Sequence, residues 1–296
     1  MKTSHSLRYR VVDVFTDTPL EGNALAVFPD ASGLDGETMQ KIARELNLSE
    51  VTFVLPATRP DCAARVRIFT PSKEMVFAGH PTIGTSRVLL DEGIVPTGTP
   101  GFLLEEVIGP VPVRVDEGSN PMIWLRTPPI VFGAQFERAM CARVLGLEAG
   151  DLLDAPPQLV SAGNPTVFVA LKDKSAVDRA SLDAHGAKLF RDGYSEPLCV
   201  FVFAPTGEGA YSRMFAPEYG IVEDPATGSS TGPLAAYMMQ HGLVSRVAGT
   251  RFVSEQGTKM KRRSLLHVHI HGEGGEDGID VGGHVAPIAE ATMHLG

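Results

Sequence analysis

The chain repeats itself. The segment FTPSKEMVFAGHPTIGTS, starting at Phe69, resembles FAPEYGIVEDPATGSS, starting at Phe215. Phe69 and Pro71 align with Phe215 and Pro217 at an offset of 146 residues, and His80, Pro81, Gly84 and Ser86 then face Asp224, Pro225, Gly228 and Ser230 at an offset of 144. Over about 17 positions order, chemistry and element type agree, since both segments run from a strand through a turn into a helix start. A repeat at this spacing predicts a duplicated domain with a pseudo-twofold axis.

With 296 residues, 43% of them hydrophobic, the chain is long enough for two domains of ordinary size, each with its own core. The runs YRVVDVF, ALAVF, VTFVL, ARVRIF, VPVRV, TVFVAL, LCVFVFA and LLHVHI read as strands. DGETMQKIAREL, HPTIGTSRVLLDEG, FERAMCARVLG and SSTGPLAAYMMQHG read as helices. Strands outnumber helices and do not alternate with them, so the class is α+β. The Pro-containing stretch RTPPIVFG, Arg126 to Gly133, marks the boundary. The expected domains are residues 1–128 and 129–284, with residues 285–296 packing back on the first.

Lys and Arg total 26 against 35 Asp and Glu, a net charge of −9 that repels nucleic acid and acidic membranes. No stretch approaches membrane-spanning length and the start, MKTSHSLRYRVVDVF, carries no signal-peptide run, so a soluble, cytoplasmic protein is expected. Cys62, Cys141 and Cys199 are odd in number, far apart and in apolar surroundings, which reads as buried thiols in a reducing compartment. There is no GxGxxG after a strand, no Walker A loop, no HExxH and no CxxC, so no cofactor and no metal is expected. His267, His269 and His271 alternate in HVHIH and share one face, but with the acidic, Gly-rich GEGGEDG following they read as the solvated face of an outer strand.

Each repeat puts Gly, Pro, Thr and Ser at a helix start, where the first N–H groups lack intrahelical partners and the macrodipole is positive. Either segment alone reads as ordinary capping by Ser and Thr; duplicated, the two helix starts read as an anion pocket for a substrate carboxylate that needs no Arg or Lys. His80 and Asp224 stand at the two helix mouths and suit general acid–base chemistry. Either one also suits a structural role, as a helix-entry hydrogen bonder or an N-cap. Glu50, in LNLSEVTFVLP, starts an apolar strand; core surroundings there would raise its pKa, whereas a solvent-facing strand end would leave it ordinary.

VDVFTDTPLEGNALAVF, LNLSEVTFV, FTPSKEMVFAGHPTIGT, EDPATGSSTGPLAAY, SEQG and the closing VGG, in order along nearly the whole chain, resemble the PhzF-like family of phenazine biosynthesis. The resemblance implies the diaminopimelate-epimerase-like fold: two pseudo-symmetric α+β domains, each a curved sheet around a central helix, with the active site in the cleft. It implies Glu50 as proton shuttle, His80 and Asp224 as its catalytic companions, and Asn23, Gly79, Gly228 and Ser229 as substrate-binding groups. It also implies a homodimer. Relatives on this fold that racemise with two thiols carry one cysteine at each helix start, and this chain reads AGHP and DPATGS there. Where the family often has Gly-Arg-Pro-Ser after SEQG, this chain has Lys261, Arg262, Arg263 and Ser264, a departure that bears on specificity.

The expected function is a cofactor-independent isomerase that shifts a hydrogen on a small carboxylic acid. Its rivals are an amino-acid epimerase without the cysteine pair and a non-catalytic ligand-binding protein on the same fold. The substrate is not legible in the sequence.

Overall fold

The computed structural model of the chain describes residues 5–191 and 193–295. It divides into two compact units, Met1–Arg126 with Gly282–Gly296, and Thr127–Val281. The first unit carries β1 (His5–Val14), β2 (Asn23–Phe28), β3 (Glu50–Leu55), β4 (Ala64–Phe69), β5 (Glu74–Met75), β6 (Gly101–Glu106), β7 (Gly109–Val115) and β8 (Ile123–Arg126), with helices α1 (Gly36–Leu46) and α2 (Gly79–Asp91). The second carries β9 (Val131–Gln135), β10 (Gln158–Ser161), β11 (Thr166–Ala170), β12 (Cys199–Thr206), β13 (Gly209–Ala216), β14 (Ile221–Asp224), β15 (Arg251–Gln256) and β16 (Ser264–Ile270). Its helices are α3 (Arg138–Val144), α4 (Lys174–Arg179), α5 (Ala184–Phe190) and α6 (Gly228–Gln240). The chain returns to the first unit along β17 (Ile279–Gly283) and ends in β18 (Val285–Leu295), which pairs antiparallel with β1.

One topology occurs in both units. In the first, β1 pairs antiparallel with β2, β2 parallel with β3, β3 antiparallel with β4, β4 antiparallel with β5 and parallel with β6, and β6 antiparallel with β7. In the second, β10 through β16 repeat those relations in the same order. Each parallel pair needs a crossover. Helix α1 supplies one and α2 another in the first unit; α4 with α5, and then α6, supply them in the second.

The structure resets the frame of the repeat. Helices α2 and α6 are both 13 residues long, and Gly79 to Gly228 is an offset of 149, whereas Arg67 to Arg213 is 146. Three extra residues are spent in the turn Pro217–Tyr219, which closes on Gly220 in the left-handed region. His80 therefore corresponds to Ser229 and not, as the sequence match suggests, to Asp224. The shared His-Pro and Asp-Pro steps pull the residue match out of the frame that helix geometry sets.

Both crossover helices are buried nearly all round: ten residues of α2, and every residue of α6 from Gly228 to Met239. Small side chains allow this. A Cβ on Gly84 would stand 2.6 Å from Leu25 Cδ2, and one on Gly232 would stand 2.2 Å from Thr127 Oγ1. Buried hydroxyls on these helices find partners, Thr85 with Thr52 at 2.8 Å and Ser230 with Thr166 at 2.9 Å. In the second unit α6 packs with Phe168, Phe201 and Phe203 on one face of the sheet, while α3, α4 and α5 cover Val167, Val200 and Val202 on the other. Gly232→Ala is expected to overpack this core and lower stability by about 1–3 kcal/mol in denaturant unfolding, with Gly150→Ala, whose Cβ would meet nothing within 4 Å, close to neutral.

A second duplicated device holds the hairpin that feeds each helix. Arg67 donates two hydrogen bonds of 2.7 Å to Glu74 and stacks over Phe69, 5.0 Å from guanidinium carbon to ring centroid. Arg213 does the same with Glu223, at 2.8 and 2.7 Å, and with Phe215 at 4.8 Å. Such planar bidentate contacts fix direction as well as distance, so β5 and β14 leave β4 and β13 at a set angle.

Candidate active site

In the first unit the parallel pairing of β2 with β3 starts both strands at the same end, with Leu25 opposite Glu50. Asn23 therefore gathers with Ser49 and Glu50, and the first turn of α2 brings His80 to them. The Ser49 hydroxyl donates to Asn23 Oδ1 at 3.0 Å, which turns the Asn23 amide nitrogen toward His80 Nδ1 at 3.3 Å. Nδ1 then accepts, and the proton of the neutral ring lies on Nε2. That nitrogen stands 3.4 Å from Glu50 Oε2. Burial pushes the His80 pKa down to about 3, so the ring stays neutral across the physiological range. The Glu50 side chain keeps 13% of its surface exposed, against 5% for His80, so the carboxylate is the more open member of the pair.

Helix α2 begins at Gly79 after Ala78, an N-cap with no side-chain bond, and has no acid in its first turn. Its N-terminal end carries the positive end of the helix dipole with no cap or acid of its own to neutralise it.

The second unit builds its counterpart from different residues. Asp224 ends β14, buried, and accepts from the Thr227 hydroxyl. Thr227, rather than Asp224, is the N-cap of α6, and no side chain caps it; this helix too lacks an acid in its first turn. Gln256 locks the turn: its amide nitrogen donates to Asp224 O at 2.8 Å and to Thr227 Oγ1 at 3.0 Å, and its Oε1 accepts from Thr227 N at 3.1 Å. Gly257 beside it has φ +74°, and a Cβ there would stand 2.3 Å from Arg262 O and 2.6 Å from Pro225 O, so only glycine fits. Ser229 is the second residue of α6, after Gly228, and its hydroxyl accepts from Asn164 Nδ2 at 3.0 Å.

The structure thus brings Asn23, Glu50, Gly79 and His80 together in the first unit, and Asp224, Gly228 and Ser229 in the second. It adds Asn164 and Gln256, which the sequence reading does not single out. Asn164 had a signal: it stands in a Gly-Asn pair just before β11, as Asn23 stands in the pair that opens β2, with Gly163 and Gly22 both at positive φ. Each asparagine amide binds the second residue of the matching helix, His80 in one unit and Ser229 in the other.

Lys261 to Arg263 lie in the turn from β15 to β16 and Ser264 opens β16; Arg262 N donates to Gly257 O at 3.1 Å, and Gly257 packs on Pro225, so the departure noted in the sequence lies close to the Asp224 turn. Among the described residues no cysteine forms a disulfide; Cys62 and Cys141 are buried as expected, Cys199 is only half-buried, and burial pushes the Cys141 thiol up to about 12. His267 and His269 are half-buried rather than solvated, and His271 pairs with buried Asp280 at 2.8 Å.

The family model for phenazine biosynthesis-like proteins (PhzC-PhzF) matches residues 12–291. A trans-2,3-dihydro-3-hydroxyanthranilate isomerase of Pseudomonas aeruginosa is 37% identical, over 97% of this chain and 99% of that protein. A phenazine biosynthesis protein of the PhzF family from Bacillus anthracis shares the fold at a TM-score of 0.87 and 24% identity, covering 98% of this chain and all of that one. A hydroxyproline epimerase from Agrobacterium vitis shares it at a TM-score of 0.67 and 15% identity, covering all of this chain and 94% of that one. These likenesses identify the architecture as the diaminopimelate-epimerase-like fold. The family match over residues 12–291 and the likeness along nearly the whole length give one assignment: the chain belongs to the phenazine biosynthesis-like (PhzF-like) family and is an isomerase.

Proposed function

We propose that the chain moves a proton from one carbon to another of a small carboxylic acid, without cofactor, using Glu50 as the shuttle. The carrying observation is the Glu50 carboxylate, partly open, against an imidazole whose tautomer Asn23 and Ser49 fix. In the forward step Glu50 takes a proton from carbon, and the C–H electron pair shifts into the adjoining π system. The protonated Glu50 then returns that proton to another carbon, so one C–H bond breaks, one forms and no oxidant enters. Neutral His80 presents Nε2–H to Glu50 and keeps one carboxylate rotamer aimed at the substrate. The start of α2, at Gly79, takes the substrate carboxylate. Asp224, Gly228 and Ser229, in the second unit, are assigned to the same reaction.

The relative from Pseudomonas aeruginosa makes a dihydro-hydroxyanthranilate the first substrate to try. The N-caps Ala78 and Thr227 bear no thiol, which speaks against a two-cysteine epimerase. The test is incubation in heavy water with cyclic dienoic acids, dihydro-hydroxyanthranilate among them, and amino acids, read by NMR and chiral chromatography. Deuterium at a new carbon with migration of the double bond supports the isomerisation. Loss of optical activity without migration establishes an epimerase, and exchange into no compound of the panel counts against the carbon-acid reading.

A further inference from the structure

The reset frame of the repeat exposes a residue that the proposed mechanism does not use. Strands β6 and β15 are both six residues long, both pair in parallel with the strand that precedes their helix, and end at Glu106 and Gln256. Gln256 holds the turn that opens α6, as described. Glu106 does the corresponding work at α2: its Oε1 lies 2.7 Å from the hydroxyl of Thr82, in the first turn. The Thr82 hydroxyl is also 2.7 Å from Ala78 O, the carbonyl of the N-cap residue. A hydroxyl has one hydrogen, and two acceptors cannot share it equally. The arrangement is satisfied when Thr82 donates to Ala78 O and a protonated Glu106 donates to Thr82. The other carboxyl oxygen, Oε2, is buried without a hydrogen-bond partner among the described residues, a costly place for half of a carboxylate charge and a cheaper one for a neutral acid's carbonyl.

We propose that Glu106 is a positioning residue: a neutral carboxylic acid, standing where the repeat has the Gln256 amide, that braces the first turn of α2 and keeps negative charge away from it. This rests on the reading of the α2 start as the carboxylate seat. An ionised Glu106 would compete with the substrate for the positive end of the helix; an acid that stays protonated gives the same brace as an amide. Burial pushes its pKa up to about 8, opposed only by the Thr82 hydroxyl. The ionisable groups on the elements around it are occupied elsewhere. His80 on α2 is neutral, Glu105 on β6 accepts from Thr58 and Arg59, and Arg65, opposite Glu105 on β4, acts on Glu105. Arg67 on β4 is taken by Glu74 on β5, and β7 puts Gly109 opposite Glu106.

The test compares the native chain with Glu106→Gln, which keeps shape and a hydrogen-bond donor. Folded Glu106 holds its proton up to about pH 8 while the unfolded residue loses it near its ordinary value of 4.5, so native stability falls as pH rises through that window. The variant lacks this slope, and its melting temperature should gain steadily on the native one from pH 5 to pH 8; parallel curves overturn the proposal. The second readout is binding of 3-hydroxyanthranilate as a carboxylate probe at pH 7 and pH 9. Native affinity should fall by about tenfold more than that of the variant. Diverging melting curves with equal binding changes would leave the neutral acid standing and overturn its service to a carboxylate seat at α2.

Discussion

Glu50→Gln is expected to lower kcat by roughly 10²–10⁴-fold while leaving the melting temperature and KM close to native, because it removes the proposed proton shuttle and little else. Glutamine has the size of glutamate, and its Oε1 can still accept from His80 Nε2, so the 3.4 Å neighbour keeps a partner. The side chain as a whole is partly open, at 13% exposure, so the neutral amide adds little to the cost of burial there. With the carboxylate seat assigned to the start of α2 rather than to Glu50, binding should survive, or tighten as a like charge leaves the site. Steady-state kinetics on the substrate found by exchange checks this. A variant with kcat within threefold of native would show that Glu50 is not the shuttle, while an equal rise in KM with kcat intact would make it a binding residue instead.

The fold was largely legible because its strongest signal is local. A strand–turn–helix segment that recurs with the same punctuation constrains both halves, and the four helical patterns read from the sequence each fall on a helix of the structure, α2 and α6 starting one residue earlier than read, while the short α4 and α5 went unread. What was not legible depends on register through space. Gln256 stands 29 residues from Thr227 and reaches it only because β15 lies parallel to β13. SEQG in the sequence is a motif without a mechanism; in the structure its glutamine ties the Asp224 turn and its glycine makes room for Pro225 and Arg262. Asn164 escaped for the opposite reason, since the Gly-Asn pair that announces it is too short to stand out until Asn23 is seen doing the same work. His80 and Asp224 were paired by the proline that follows each, and only the equal lengths of α2 and α6 show that His80 answers to Ser229.

The duplicated arginine clamps should differ in what their loss costs, and the difference follows from burial and from the extra carbonyls that one of them holds. In the first unit the side chains of Arg67 and Glu74 retain 21% and 32% exposure; in the second, Arg213 and Glu223 retain 8% and 13%. Arg213 also donates to Val177 O at 3.0 Å and Ala180 O at 2.6 Å, closing the end of α4, so its removal orphans carbonyls as well as a carboxylate. Arg213→Ala is therefore expected to cost about 3–5 kcal/mol, the range for a buried pair broken on one side. Arg67→Ala should cost less, about 1–2 kcal/mol, because water reaches Glu74 and takes over part of the solvation. The single tryptophan, Trp124, lies in the first unit, so its fluorescence follows that unit while far-ultraviolet circular dichroism follows both. Arg213→Ala should shift the dichroism transition in urea to lower concentration ahead of the fluorescence transition, whereas Arg67→Ala should shift the fluorescence more. Replacing Arg213 and Glu223 together by Met and Leu should recover the share of the loss that comes from the charge left alone, while the orphaned carbonyls of Val177 and Ala180 keep the rest. Equal losses at Arg67 and Arg213 would mean that the clamps act through geometry alone, with desolvation contributing nothing to the difference between the two halves.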